Sequence, residues 1–117
     1  MKEDKTISVA KIISYDKIVI NKGSSDGIDS EMEFLVYVEG SEILDPITGT
    51  SLGNLENPKG FFKIFHIQEK MTTLTAKLNR NDIYINIIPF AGKDPEIEAL
   101  KSIKIGDKVK IINIIRK

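Results

Sequence analysis

Two runs of alternating apolar and polar residues flank a glycine-rich segment between Lys17 and Val38, and they constrain the fold more than any other feature. Alternation with a period of two is typical of strands that bury one face. Between the runs, Gly23 and Gly27 tolerate positive φ, and Asp26 can accept hydrogen bonds from nearby amides. The pattern predicts a β-hairpin with its turn at residues 22–29, and no active site there.

The same alternation recurs along the chain, with short turn sequences between the runs. It predicts strands at residues 7–14, 17–21, 33–39, 60–69, 71–79, 83–88 and 108–115. We expect the first three to form a meander, with Phe34, Val36 and Val38 facing inward. Gly106 and Asp107 are predicted to form the turn before the last strand, whose apolar tail indicates burial on both faces.

Residues 40–58 interrupt this pattern and contain their own turn sequence. Pro46 fixes φ at the second turn position, and Gly49 closes the turn. The flanking residues 42–44 and 50–53 are predicted to pair as a short, exposed hairpin that projects from the body of the domain. A loop of this length contacts a partner more readily than a core strand does.

The remaining pattern predicts one helix and a closed sheet. Asp94 can cap a helix at residues 95–101, and Pro95 suits its first position. Long strands joined by short turns curl as twist accumulates, and closure removes their exposed edges. We therefore expect a single domain, residues 1–117, that forms an all-β, small, mostly antiparallel barrel of about seven strands with one short helix near residues 95–101.

The composition of the chain bears on the cellular compartment in which the protein is found. The chain has no cysteine, no segment with the apolar length of a membrane span, and no secretory signal at its N-terminus. We expect a cytoplasmic protein if this is the full-length native chain, and a periplasmic or envelope location if it is an excised domain.

Charge is unevenly distributed, although 17 basic and 17 acidic residues give a formal net charge of zero. Between Lys22 and Lys59 lie eight acidic residues and no basic one. Solvation of turns is the ordinary explanation of such a bias. The alternative is a protein partner that meets this acidic side, and Glu39, Glu42 and Asp45 are then the candidate contact residues.

No motif predicts catalysis, a cofactor or a metal ion. His66 is the only histidine and is expected to be satisfied or half-buried in its strand, which leaves zinc without a second ligand. Ser24 and Ser25 have no nearby base to activate a nucleophile. The spacing of the acids after Ser25 does not match a calcium-binding EF-hand loop, and no helix follows the glycines to bind a phosphate. We expect a protein that is not an enzyme.

Single-stranded nucleic acid is the alternative partner, because small barrels present aromatic and basic residues on a sheet face. Phe61, Lys63 and Phe65 alternate onto one face. The candidate cations near them are Lys77, Arg80, Lys108 and Lys110. Against this interpretation, the net charge is zero and the pI about 6.6, whereas nucleic-acid-binding domains are typically basic. Phe61 and Phe65 are then expected in the core.

The order of several motifs resembles a known family. The motifs are VINKGSSDGI, FLVYVEGSEILDPITGTSLG, a glycine-led strand ending in QEKM, and IKIGDKV. Over residues 6–78 and 103–117 they are similar to the C-terminal β-barrel domain of the flagellar assembly protein T family, and to small barrels of other bacterial envelope proteins. The resemblance implies a non-catalytic protein-interaction or structural module of a bacterial assembly, and it carries over no catalytic residue.

Overall fold

The computed structural model describes residues 6–78 and 94–114. Strands occupy most of these ranges, together with one α-helix and one short 3-10 helix. The elements are β1 (Ile7–Ser14), β2 (Lys17–Ile20), the 3-10 helix (Ser24–Asp26), β3 (Met32–Leu44), β4 (Ser51–Ile67), β5 (Thr72–Ala76), α1 (Pro95–Lys101) and β6 (Lys108–Ile114).

The strands close into a barrel in the order β1-β2-β5-β4-β3-β6, and every neighbouring pair is antiparallel. β6 completes the ring between β3 and β1. The predicted all-β, small antiparallel barrel with a short helix is therefore confirmed, with six strands in the described ranges. The strand predicted at residues 83–88 lies outside them.

The predicted meander of the first three strands is wrong. β2 pairs with β1 and β5, whereas β3 pairs with β4 and β6, so residues 22–29 do not close a hairpin. Instead this segment runs past the β4–β5 turn, where the amides of Ser24 and Ser25 donate to the carbonyls of Gln68 and Glu69 at 2.9 and 3.0 Å. Turn-forming residues fit either path, and only the non-local hydrogen bonds distinguish the two.

The core lies inside the barrel and is built from alternate residues of all six strands. Its fully buried members include Val9, Ile18, Ile20, Phe34, Val36, Phe62 and Leu74. α1 adds Leu100 from one end, after Asp94 caps the helix by accepting from the amide of Glu96 at 2.9 Å. Gly60 permits this approach, because a β-carbon there would lie 2.4 Å from Leu100 Cδ2.

The C-terminal half of β6 is less buried than the sequence predicted. Val109 is in the core, but Ile111, Ile112 and Ile114 are exposed. Within the described ranges β6 pairs with β1 at residues 108 and 109, whereas its pairing with β3 continues to Ile114. The prediction of burial on both faces is thus wrong for the described residues, because β1 does not accompany the second half of β6.

Candidate functional site: a projecting hairpin

β3 and β4 continue beyond the barrel as a two-stranded hairpin, residues 38–57, here called the arm. Pairing of β3 with β6 ends at Tyr37, and pairing of β4 with β5 starts at Phe62. Within the arm the register runs from Val38 opposite Asn57 to Leu44 opposite Ser51. Seven residues per strand at about 3.3 Å each give a projection of about 20 Å. The predicted exposed hairpin is present and is longer than the sequence indicated.

The tip of the arm is a closed turn in which Asp45 has a structural role. Its Oδ1 accepts from the amide of Ile47 at 2.8 Å, and its carbonyl accepts from the amide of Gly49 at 2.8 Å. Gly49 adopts φ 78°, a conformation that favours glycine, and Pro46 occupies the second turn position. The Asp45 carboxylate, a predicted partner contact, is therefore already engaged by the turn.

Two ion pairs join β6 to the end of the arm nearest the barrel, here called its root. Lys108 Nζ lies 3.0 Å from Glu39 Oε1, and Lys110 Nζ lies 2.6 Å from Glu56 Oε1. Hydrogen bonds to these carboxylates raise the pKa of both lysines. Lys110 Nζ also lies 5.2 Å from the centroid of the Tyr37 ring. Glu39, a second predicted contact, thus anchors the arm.

Glu42, the third predicted contact, projects from the middle of the arm and is exposed. It makes no ion pair with any residue of the described ranges. Of the three acids named from the sequence, it is the one with a carboxylate that a partner can reach without displacing an internal contact.

Apolar side chains cover much of the arm and were missed as site residues by the charge-based prediction. Ile47 at the tip is 89% exposed. The other exposed apolar residues of the arm are Val38, Ile43, Leu44, Leu52 and Leu55. The arm thus concentrates six exposed apolar side chains in one element, and exposed apolar patches mark interaction sites in soluble proteins. The signal was available in the sequence as five large aliphatic residues within 43–55, a segment already predicted to leave the barrel.

The two edges of the arm carry backbone groups that no strand of the described ranges pairs. A two-stranded ribbon is marginally stable alone, and free strand edges are templates for an added strand. The ribbon is irregular, with shifts in register between Glu39 and Glu42 and between Ile43 and Leu44. Such irregularities increase local twist and restrict which strand can be added.

The structure places the residues proposed for nucleic-acid binding in different environments. Lys77 lies 2.6 Å from Glu33 Oε2, and Lys108 and Lys110 contact the arm as described, so these cations are engaged by carboxylates. Arg80 lies outside the described residues. Phe61 is half-buried.

Phe65 was expected in the core, and this prediction is wrong, because its side chain is 59% exposed. A shift in register between Ile64 and His66 places Phe65 at a bulge, and Lys17 Nζ lies 4.9 Å from its ring centroid. The same bulge exposes His66, contrary to its predicted half-buried position.

The remaining predicted turn residues fall at turns with distinct geometry. Gly27 and Gly106 have φ values of 91° and 96°, which favour glycine. Gly23 is extended, with φ −139°, and its amide donates to Asp26 Oδ2 at 3.0 Å. Asp107 Oδ2 accepts from the amide of Lys104 at 2.9 Å.

A cavity of about 410 Å³ lies at the barrel end beside the 3-10 helix. Its lining is mixed: Ile7, Ile28, Met32 and Ile111 with Lys22, Ser25 and Asp26. The Asp26 carboxylate is occupied by the amide of Gly23. Over residues 6–78 and 94–114, no three histidine, cysteine or acidic side chains gather as metal ligands, and no helix is long and apolar enough to cross a membrane.

No family model and no curated protein sequence matches this chain.

Proposed function

We propose that this protein is a non-catalytic interaction module in which the barrel holds the arm and the arm binds a protein partner. The observation that carries the proposal is the exposed aliphatic surface of the arm, from Ile43 to Leu55, on a ribbon outside the barrel. The motif-level resemblance to the barrel domain of the flagellar assembly protein T family supports a role in a bacterial, envelope or flagellum-associated assembly.

Preorganisation supports the same proposal. The ion pairs of Glu39 and Glu56 hold the arm at its root, and the Asp45 turn holds its tip. A ribbon that is already hydrogen-bonded loses less conformational entropy on binding than a disordered loop would. Apolar side chains then supply contact area, while Glu42 adds a charge that selects partners with a basic surface.

Site-specific photocrosslinking in cells of the native source tests the proposal. Benzoylphenylalanine at position 52 replaces exposed Leu52 of the arm, and the matched control carries it at exposed Ile105, in the turn before β6. We expect discrete protein adducts from position 52 that are absent from position 105.

A competition experiment makes this result specific. Excess co-expressed wild-type protein should suppress the adducts, whereas a variant with residues 41–54 replaced by Asn-Gly should not. The shortened variant keeps every barrel strand pair, so its folding can be verified by circular dichroism. Equal adducts at both positions, or equal suppression by both competitors, would show that the arm is not the binding element.

A further inference from the structure

A second surface of the barrel has the opposite character to the arm. It is the outer side of β1, β2, β5 and the C-terminal part of β4, here called the basic face. Pairing places Lys17, Thr75 and Lys63 in one row across these strands, and Lys11, Val19, Thr73 and His66 in the next. Neighbouring strands lie about 5 Å apart, so Lys17 and Lys63, which flank Thr75, have backbones about 10 Å apart, and Lys11 lies on the next strand beyond β2.

The cations of the basic face are available to a partner. Lys11 and Lys63 are exposed and make no ion pair with any residue of the ranges 6–78 and 94–114. Lys17 packs over exposed Phe65, which adds an apolar and aromatic surface between the charges. The neighbouring acids are engaged: Glu33 by Lys77 and Asn113, and Asp16 by the hydroxyl of Ser14 at 2.6 Å.

The arm matches this face in chemistry. It contains four acids, Glu39, Glu42, Asp45 and Glu56, and no basic residue, together with its exposed aliphatic side chains. Because Glu39, Asp45 and Glu56 are engaged within the molecule, the arm offers the free carboxylate of Glu42 and its apolar groups, while the basic face offers ammonium and aromatic groups. With a net charge of zero overall, charge repulsion does not keep copies of the chain apart.

One molecule cannot dock its own arm on its own basic face. Leu52 and Phe65 lie thirteen positions apart on the same strand β4, which corresponds to about 40 Å of extended chain. The two surfaces thus lie at opposite ends of strand β4. Contact between two arms is disfavoured as well, because it would bring acids against acids.

We propose that the partner of the arm is a second copy of this chain, which receives the arm on its basic face. This inference rests on the proposed function and adds the partner's identity. Because donor and acceptor surfaces differ, the contact is head-to-tail, and each copy can bind one neighbour on each side. Such contacts generate a ring if the rotation closes and a filament if it does not.

Charge-swapped variants of the full chain test the proposal by sedimentation velocity over a concentration series. The face variant is Lys11→Glu/Lys63→Glu, and the arm variant is Ser41→Lys/Glu42→Lys. The matched control, Lys70→Glu/Lys104→Glu, makes the same charge change in two exposed turns outside the face. We expect concentration-dependent oligomers of the wild type that weaken about tenfold or more at high salt.

The face and arm variants should each stay monomeric, and the control should associate as the wild type does. An equimolar mixture of face and arm variants should form a heterodimer, because the reversed arm meets the reversed face. Combining all four substitutions in one chain should restore self-association. Circular dichroism of each variant separates loss of contact from loss of folding.

A monomeric wild type at all concentrations and low salt would overturn the proposal, as would association that the control abolishes equally. If photocrosslinking at position 52 still yields adducts while the purified chain is monomeric, the arm binds another protein and only the self-docking inference fails. The same variants are titrated with a fluorescent oligothymidylate. Tight binding that the face variant abolishes would assign the basic face to nucleic acid and likewise overturn self-docking.

Discussion

Lys59 Nζ lies 2.8 Å from Asp107 Oδ2, and the two side chains are only 15% and 10% exposed. The same ammonium donates to the carbonyl of Ser102 at 2.9 Å. One ion pair therefore joins β4 at the root of the arm to the end of α1 and to the turn that starts β6. Its location makes it part of the structure that keeps the arm and the barrel in a fixed relation.

Substitution of Lys59 is expected to destabilise the protein more than substitution of a surface lysine. Lys59→Met keeps most of the side-chain packing but leaves the largely buried carboxylate of Asp107 without its cation, with the amide of Lys104 as its remaining donor, which costs about 2 kcal/mol. Lys110→Met breaks a more exposed pair, which solvent screens, and should cost clearly less than Lys59→Met. Urea denaturation measures both, and equal losses would contradict this assignment.

Gly23 and Gly27 are expected to respond differently to alanine. A β-carbon on Gly23 would lie 2.2 Å from the carbonyl oxygen of Gln68, so the backbone must move and the hydrogen bonds of Ser24 and Ser25 are lost. We expect a loss of about 3 kcal/mol for Gly23→Ala.

For Gly27→Ala the expected loss is about 1 kcal/mol, since positive φ is unfavourable but nothing lies within 4 Å of the added carbon. Thermal unfolding of the two variants gives the comparison. A larger effect at Gly27 would show that backbone conformation, and not close packing against the β4–β5 turn, determines the requirement for glycine.

The stability of the barrel should depend on pH through Glu33. Hydrogen bonds from Lys77 and then Asn113 lower the pKa of Glu33 from its ordinary value of 4.5. Since the folded state favours the ionised carboxylate, its stabilising contribution is complete above pH 4.5 and is lost as the pH falls through the lowered pKa. The difference in unfolding free energy between wild type and Glu33→Gln should therefore shrink on acidification. A difference independent of pH would contradict the assignment.

Local opening should be easier in the arm than in the barrel. Amides of residues 41–54 are expected to exchange with deuterium well before those of β2 and β5, which are paired on both sides. Comparable exchange in both regions would indicate that the arm belongs to the cooperative core.

Substitutions in the arm and in the core should differ in the same way. Ile47→Asp should change the free energy of unfolding by less than about 0.5 kcal/mol, since Ile47 is almost fully exposed. Phe62→Ala removes a fully buried ring and should cost about 3 to 5 kcal/mol.

Local sequence signals predicted the elements well. The alternation at residues 7–14 gave the bounds of β1, and Asp94-Pro95 marked the start of α1. The turn at residues 45–49 was visible because proline fixes φ near its turn value, whereas glycine permits the positive φ that Gly49 adopts. All of these features depend on contacts within a few residues.

Long-range pairing was not predictable from the same signals. The glycine-rich segment at 22–29 fits a hairpin as well as it fits the observed path beside Gln68 and Glu69, and the wrong choice misplaces β3. The exposed position of Phe65 depends on a register shift against β5, which alternation along one strand does not reveal. The acids of the arm were located correctly, but their pairing with Lys108 and Lys110 depends on β6, about seventy residues along the chain from Glu39.

The closure of the ring by β6 has a consequence for biosynthesis. Residues 7 and 8 of β1 leave the ribosome about one hundred positions before their partners, Val109 and Lys108 of β6. In a nascent chain the sides of β1 and β3 that face β6 therefore stay unpaired until β6 has been synthesised, and the β1–β6 contact, which joins the strands farthest apart in sequence, is expected to form late. Truncation within β6 would leave an open sheet in which β1 and β3 are edge strands, each unpaired on one side.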